Sequence, residues 1–174
     1  MRSAYRPIAA GLAAFSVFLL SNLTGIEPAA AREVVAFNGG VSAGTIVVRT
    51  GERKLYLVLG NGRALRYAVG VGRAGKQWTG STIIDSKRIR PDWAPPPDIK
   101  RAHKLPDLIP GGSPRNPMGV AALTLGGTEY AIHGTNQPGS IGGFVSYGCI
   151  RMHNHDITDL YGRVSVGTQV VVTR

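Results

Sequence analysis

The sequence predicts a mostly β domain, sandwich or barrel-like, and three observations carry that reading. Residues alternate with period two along Lys54–Leu59 and again at Leu65, Tyr67, Val69 and Val71. Glycine and proline, 24 and 11 of 174 residues, make up a fifth of the chain and imply frequent turns and short strands. Only one stretch, after residue 154, has the character of a helix start. A hydrophobic content of 43% argues against a disordered chain. The composition excludes a coiled coil or a collagen, and no repeat at a fixed period marks a helical array.

The first segment reads as an address. Met1 to Arg6 is short and basic, Ile8 to Leu20 is an uncharged, mostly apolar run of 13 residues, and Ala29-Ala30-Ala31 fits a cleavage site. Thirteen residues fall short of the roughly 20 that span a bilayer. Residues 1–31 are therefore expected to be a cleaved signal peptide, the chain's one contact with a membrane. The protein is expected to be exported, to the periplasm or cell envelope. Residues 32–43, small, polar and Gly-rich, are expected to be a flexible lead-in to a folded domain at 44–174.

Within that domain Thr45–Arg49 reads as a strand. Lys54–Leu59 alternates, Asn61-Gly62 is the strongest short hairpin signal, and Leu65, Tyr67, Val69 and Val71 alternate on the return. Gly80–Ile84 is a further strand. Pro91–Pro114, with Pro95-Pro96-Pro97 and Gly111-Gly112, reads as a long irregular excursion that either walls a substrate groove or covers the sheet. Val120–Leu125 and Thr128–His133 read as strands joined by Gly126-Gly127, and 134–148 as a glycine-rich loop. One short helix is expected over 155–162, capped by Asn154, with Asp156 and Asp159 near its positive end. Thr168–Thr173 closes the domain as a strand.

The formal net charge is +10, and between Arg49 and Lys104 thirteen basic residues face four acids, Glu52, Asp85, Asp92 and Asp98. In an exported chain this argues against nucleic acid. The anionic partners outside the cytoplasm are wall polymers, lipid headgroups and carboxylate-bearing peptides, with plain solubility as the alternative.

The chain has a single cysteine, Cys149, so an internal disulfide is excluded. It lies in Ser146-Tyr147-Gly148-Cys149-Ile150-Arg151-Met152, downstream of Ile132-His133-Gly134-Thr135. A thiol attacks as the thiolate, and a neighbouring imidazole is the usual route to that state near neutral pH. Gly148 permits close backbone approach, and amides around Cys149 suit a developing oxyanion.

These segments resemble the L,D-transpeptidase catalytic domain, the YkuD-type fold of the ErfK/YbiS/YcfS/YnhG group. The family motif is a His-Gly followed by Ser/Thr-x-Gly-Cys-hydrophobic-Arg/Asn, and here Cys149 follows His133 by 16 positions. The likeness extends to Pro110-Gly111-Gly112, Asn116-Pro117-Met118-Gly119 and Leu123 and Leu125, from about Gly44 to Val172. It implies a YkuD-like β-sandwich of mixed sheets with one short helix after the cysteine, and a catalytic domain at 44–174.

The resemblance further implies that Cys149 is the nucleophile, His133 the base, and the Gly134 carbonyl the group that orients the imidazole. Amides of Tyr147, Gly148 and Cys149 are candidates for the oxyanion hole. Arg151 is expected to hold a substrate carboxylate, its alternative being an ion pair with Asp156 or Asp159. Ser146, Tyr147 and Gly148 complete the expected substrate-binding group, with Ser146 either a site organiser or a turn residue. Tyr147 stands where many members carry His, and a phenol cannot titrate near neutral pH as an imidazole does.

The implied function is cell-wall biogenesis. Stem tetrapeptides of peptidoglycan would form a thioester on Cys149, which then passes to an amine on a second stem, giving 3→3 crosslinks, or on an outer-membrane protein. Water as acceptor would make it an L,D-carboxypeptidase, and a silent wall-binding module is the alternative from another class. No metal and no organic cofactor are expected.

Three further patterns are set aside. Gly70-Val71-Gly72-Arg73-Ala74-Gly75 matches a dinucleotide fingerprint but opens no helix. Cys149, His153 and His155 have no common zinc spacing. Asp156 and Asp159 are explained by the helix dipole rather than as a glycosidase pair.

Overall fold

The computed structural model describes Met1 and residues 32–174; the expected signal peptide and its cleavage site lie outside the described residues. Among the described residues no helix is long and apolar enough to cross a membrane. Eleven strands and two α-helices are found there. The first four strands are β1 (Glu33–Ala36), β2 (Ile46–Arg49), β3 (Lys54–Gly60) and β4 (Arg63–Ala68).

The β3–β4 hairpin turns at Asn61 and Gly62, both at positive φ (51° and 67°), as the Asn-Gly pair requires. β3 is covered on both faces. Leu55 and Leu57 enter the main core, while Tyr56 and Val58 pack with Phe37, Val47 and Ala64 in a smaller cluster. A bulge between Val58 and Gly60 puts Leu59 outside that alternation.

The lead-in expectation needs correction. Glu33–Ala36 adds to the edge of β4 as an antiparallel strand, and Arg66 reaches Glu33 at 2.5 Å. Buried Phe37 anchors its end. Four residues paired at an edge leave too short a pattern to read from sequence.

β5 (Val71–Gly72) and the long β6 (Gly80–Ile89) follow. β6 belongs to two halves: Gly80–Ile83 pairs with β11 (Gln169–Thr173), and Ile84–Ile89 with β7 (Ala121–Leu125), the second pairing shifting register between Ile84 and Ser86. β7 continues to β8 (Ala131–His133), and β8 pairs in parallel with β10 (Ile150–Arg151). The strand order is β1-β4-β3-β2-β11-β6-β7-β8-β10, and β5 forms a separate pair with β9 (Phe144–Ser146). A reciprocal backbone pair between Gly70 and Arg151 (2.9 and 2.8 Å) links the chain beyond β4 back to β10. Ile46 and Leu55 from one half share a core with Leu123, Ile132 and Ile150 from the other, which is the expected sandwich of mixed sheets.

Two helices replace the single one expected. α2 (Asn154–Arg163) is the expected helix, and it buries Ile157 and Leu160. Lys87 caps its C-terminal end, donating to the Tyr161 and Val164 carbonyls at 2.7 and 2.6 Å. α1 (Pro97–His103) lies inside the proline-rich excursion and buries no residue, so it leaves no hydrophobic period to detect. Pro97 starts it and Lys104, in the left-handed region, ends it. The loop 134–148 also holds a single 3-10 turn, Pro138–Ser140, before β9.

Candidate active site

The parallel β8–β10 register sets the site. Ile150 lies opposite Ile132 and Arg151 opposite His133, so Cys149 stands level with Ala131. Alternate residues of each strand face opposite sides. Ile132, Ile150 and Met152 enter the core, while Ala131, His133, Cys149 and Arg151 all line one cavity of about 780 Å³. With strands about 4.8 Å apart and two residues about 6.6 Å along, Cys149 and His133 sit diagonally, their Cα atoms on the order of 8 Å apart. That is within reach of two side chains that both face the cavity.

His133 is 3% exposed, and its Nδ1 lies 2.6 Å from the Gly134 carbonyl oxygen. The carbonyl fixes the tautomer: Nδ1 carries the proton and donates, leaving Nε2 as acceptor. Burial, then the nearby Arg151 charge, pushes its pKa down to about 4, against the pull of the Gly134 and Pro117 carbonyls. Burial also pushes the Cys149 thiol up, with the Ala131 amide and Arg151 opposing and Glu129 adding to the rise. Both the imidazole of His133 and the thiol of Cys149 are therefore neutral near neutral pH. Such a pair can hand a proton from sulfur to nitrogen as a bond to sulfur forms, rather than storing a thiolate.

The cysteine turn is built by neighbours. The Ser146 hydroxyl donates to the Cys149 carbonyl at 2.6 Å and accepts from the Gly148 amide at 3.1 Å. Ser146, 2% exposed, is thereby a positioning residue, and the Gly148 amide is withdrawn from the three oxyanion candidates. Amides of Tyr147 and Cys149 remain. Gly148 sits at φ +133°, where a Cβ would stand 2.3 Å from the Tyr130 ring. Tyr130 stacks on Trp78 (5.3 Å between centroids), and Trp78 donates to the Gly148 carbonyl at 2.9 Å. Sequence reasoning missed both aromatics, since their contact spans some fifty residues and only Tyr130 lay in an expected strand.

The expected cap at Asn154 is also corrected. His153 precedes the helix, and no side chain caps it. Asn154 is its first residue, and its Oδ1 instead accepts from the Thr135 amide at 3.0 Å. A Cβ on Gly119 or on Gly134 would come within 2.3 Å of that oxygen. The Asn116–Gly119 stretch is thus pressed against the backbone that carries His133.

Arg151 is half-buried, and its Nε is buried with no hydrogen-bond partner among the described residues. The alternative ion pairs do not form among the described residues. Asp159 accepts from Tyr67 at 2.7 Å and from Arg163, and pairs with Arg32; Asp156 lies beside His155. Neither aspartate lines the cavity. Tyr147 does, with the Arg73 guanidinium 3.9 Å above its ring.

The excursion roofs the cavity with Trp93, Pro96, Ile99, Leu105 and Ile109. Buried Asn116 ties it down, donating to the carbonyls of Pro91, Ile109 and Pro110 at 2.9–3.1 Å. The fingerprint-like glycines belong to backbone contacts instead. Gly70 faces Arg151, a Cβ on Gly72 would strike the Lys76 carbonyl, and no helix follows. His153 and His155 stack on each other, and no group of three His, Cys, Asp or Glu among the described residues could hold a metal ion.

The basic segment is dispersed rather than a single stripe. Arg49 pairs with Glu52, Lys100 with Asp107, Arg53 lies over Phe144, and Lys87 caps α2.

Residues 43–172 match the family model of the YkuD L,D-transpeptidase catalytic domain. The chain is 39% identical over 137 residues to the probable L,D-transpeptidase ErfK/SrfK of Escherichia coli K12, covering 73% of this chain and 43% of that protein. It is 36% identical over 130 residues to the putative L,D-transpeptidase YkuD of Bacillus subtilis 168, covering 74% and 65%. The chain thus spans less than half the length of the first of these relatives. Among solved structures, an L,D-transpeptidase from Mycobacterium tuberculosis H37Rv superposes with a TM-score of 0.58 at 15% identity, over 75% of this chain and 57% of that one. One from Mycobacterium smegmatis gives 0.57 at 19%, over 83% and 68%. The chain belongs to the YkuD L,D-transpeptidase catalytic domain family.

Proposed function

With that membership as premise, we propose that the chain is an exported cysteine acyltransferase acting on peptidoglycan stem peptides in the cell envelope. The observation that supports it is the placement of Cys149, His133 and Arg151 on one cavity-facing side of β8 and β10, with His133 Nδ1 committed to Gly134. Cys149 is the nucleophile, and Nε2 of neutral His133 receives its proton as sulfur attacks the carbonyl of the third stem residue. The oxyanion is met by the Tyr147 and Cys149 amides. His133 returns the proton to the leaving D-Ala, and a thioester remains. Arg151, without a carboxylate partner of its own, holds a carboxylate of the stem.

The thioester then passes to an amine. An amine on a second stem gives a 3→3 crosslink, one on an outer-membrane protein anchors that protein, and water gives a tripeptide. The test is product mass after mixing the full-length chain with disaccharide-tetrapeptides, beside Cys149→Ala. A dimer lacking one D-Ala, absent with the variant, is the expected result. Monomeric tripeptide would make the chain a carboxypeptidase, and unchanged substrate would point to a silent wall-binding module.

A further inference from the structure

The charges around the cavity are divided. Among the described residues Arg151, opposite His133, and Arg115 are the arginines that line it. They line it together with one carboxylate, that of Glu129, two residues before β8 begins. Glu129 lies in the bend that leads into β8, and it lines the same cavity as Cys149 and His133. Among the described residues Glu129 is the one acid lining the cavity, it is exposed, and no ion pair or hydrogen bond occupies its carboxylate. Its charge is felt at the sulfur, adding to the rise of the thiol.

A carboxylate in this position does not favour the first half of an acyl transfer, because it opposes a forming thiolate and repels the carboxylates of a stem peptide. Its use lies in the second half. We infer that Glu129 determines acceptor choice, by holding the ammonium of a cationic amine beside the thioester and so favouring aminolysis over hydrolysis. This rests on the acyl-transfer reading above.

The step balances as follows. The acceptor arrives as an ammonium ion paired with Glu129 and gives up one proton through that carboxylate to water. Its nitrogen attacks the thioester carbonyl, the C–N bond forms, and the C–S bond breaks with its electron pair on sulfur. The second proton passes from nitrogen to neutral His133 and on to the Cys149 sulfur, leaving an amide and a free thiol. The neutral acceptors, water and hydroxylamine, gain nothing from Glu129.

The experiment compares the full-length chain with Glu129→Gln and Glu129→Lys on a disaccharide-tetrapeptide donor. The acceptor is glycinamide, largely cationic below neutral pH, or hydroxylamine, which is uncharged near pH 7. Three quantities are read: D-Ala released in the first turnover, amide product and hydrolysed tripeptide. The expected result is a fall of about tenfold in the amide-to-tripeptide ratio for glycinamide in Glu129→Gln, and a larger fall in Glu129→Lys. D-Ala release does not fall, because both variants remove a charge that opposes the thiolate, and the hydroxylamine ratio stays within about twofold. An unchanged glycinamide ratio, or an equal loss with hydroxylamine, would overturn the inference while leaving the acyl-transfer reading intact. No D-Ala release by the unaltered chain would instead remove the reading on which it rests.

Discussion

The floor of the cavity, made by β8 and β10, and its roof, the excursion from Pro91 to Pro114, are held by different forces. The floor is anchored from below by Ile132, Ile150 and Met152, all essentially inaccessible, each contributing about 2 kcal/mol by burial. Its upper face can then carry Arg151 opposite His133, with Cys149 level with Ala131. The roof has no such anchor along α1. It is held by the reciprocal Trp93–Ile109 backbone pair, by the Gly111 amide on Asp92 and by the three carbonyls gathered at Asn116. A hydrophobic floor fixes atoms for chemistry. A roof tied by a few polar bonds shapes what enters, and it is easier to loosen without dismantling the domain.

The sharpest separation of the two regions comes from the floor. His133→Gln is expected to slow acylation by about a hundred- to ten-thousandfold while the fold persists, measured as D-Ala release in single turnover. The same residue gives a pH signature. Its pKa is about 4 in the folded state against 6.5 for the ordinary side chain, so between those values the unfolded chain binds more protons. Stability is therefore complete above about pH 6.5 and declines as pH falls toward 4, by up to about 3 kcal/mol. Thermal melts of the unaltered chain and His133→Gln should converge in shape only above that window. If both lost stability equally from pH 6.5 to 4, the buried neutral imidazole would not be the cause.

Next in size is Gly148→Ala. It forces a side chain into the left-handed region and into the Tyr130 ring, and a loss of about 3 kcal/mol in denaturant melts is expected, with acylation impaired. Tyr130→Ala in the same background should recover part of the stability by opening space. Asn116→Ala follows, at about 2 kcal/mol, because it leaves three carbonyls short of a donor. Its expected mark is a roof-specific one: faster proteolysis within residues 91–114 and a raised KM, with kcat for a saturating donor nearly retained. A loss of kcat as large as that of His133→Gln would erase the distinction between floor and roof. At the small end, exposed Arg101→Ala should change stability by less than about 0.5 kcal/mol.

The floor was legible in the sequence and most of what surrounds it was not. Ala131-Ile132-His133 and Cys149-Ile150-Arg151-Met152 alternate between the core and the cavity, and the likeness to a known family pointed at the cavity-lining His133, Cys149 and Arg151. The hairpin at Asn61-Gly62 and the strands around it were equally open to period-two reading. α1 was hidden because a helix that buries nothing has no period. β1 was hidden because an edge strand of four residues gains its definition from β4, not from itself. The Trp78–Tyr130 prop, the Asn154 bond to Thr135 and the Asn116 knot join residues far apart in the chain or use polar groups whose partners are backbone atoms. No pattern in composition or spacing marks those.

The most direct measurement is the intact mass of the full-length chain after brief mixing with a disaccharide-tetrapeptide, followed by acid quench and peptide mapping, beside Cys149→Ala. The expected result is a mass gain equal to the donor less D-Ala, mapped to Cys149, long-lived when no acceptor is supplied and absent from the variant. No adduct on the unaltered chain, or an adduct that persists in Cys149→Ala, would contradict the assignment of Cys149 as the acyl carrier.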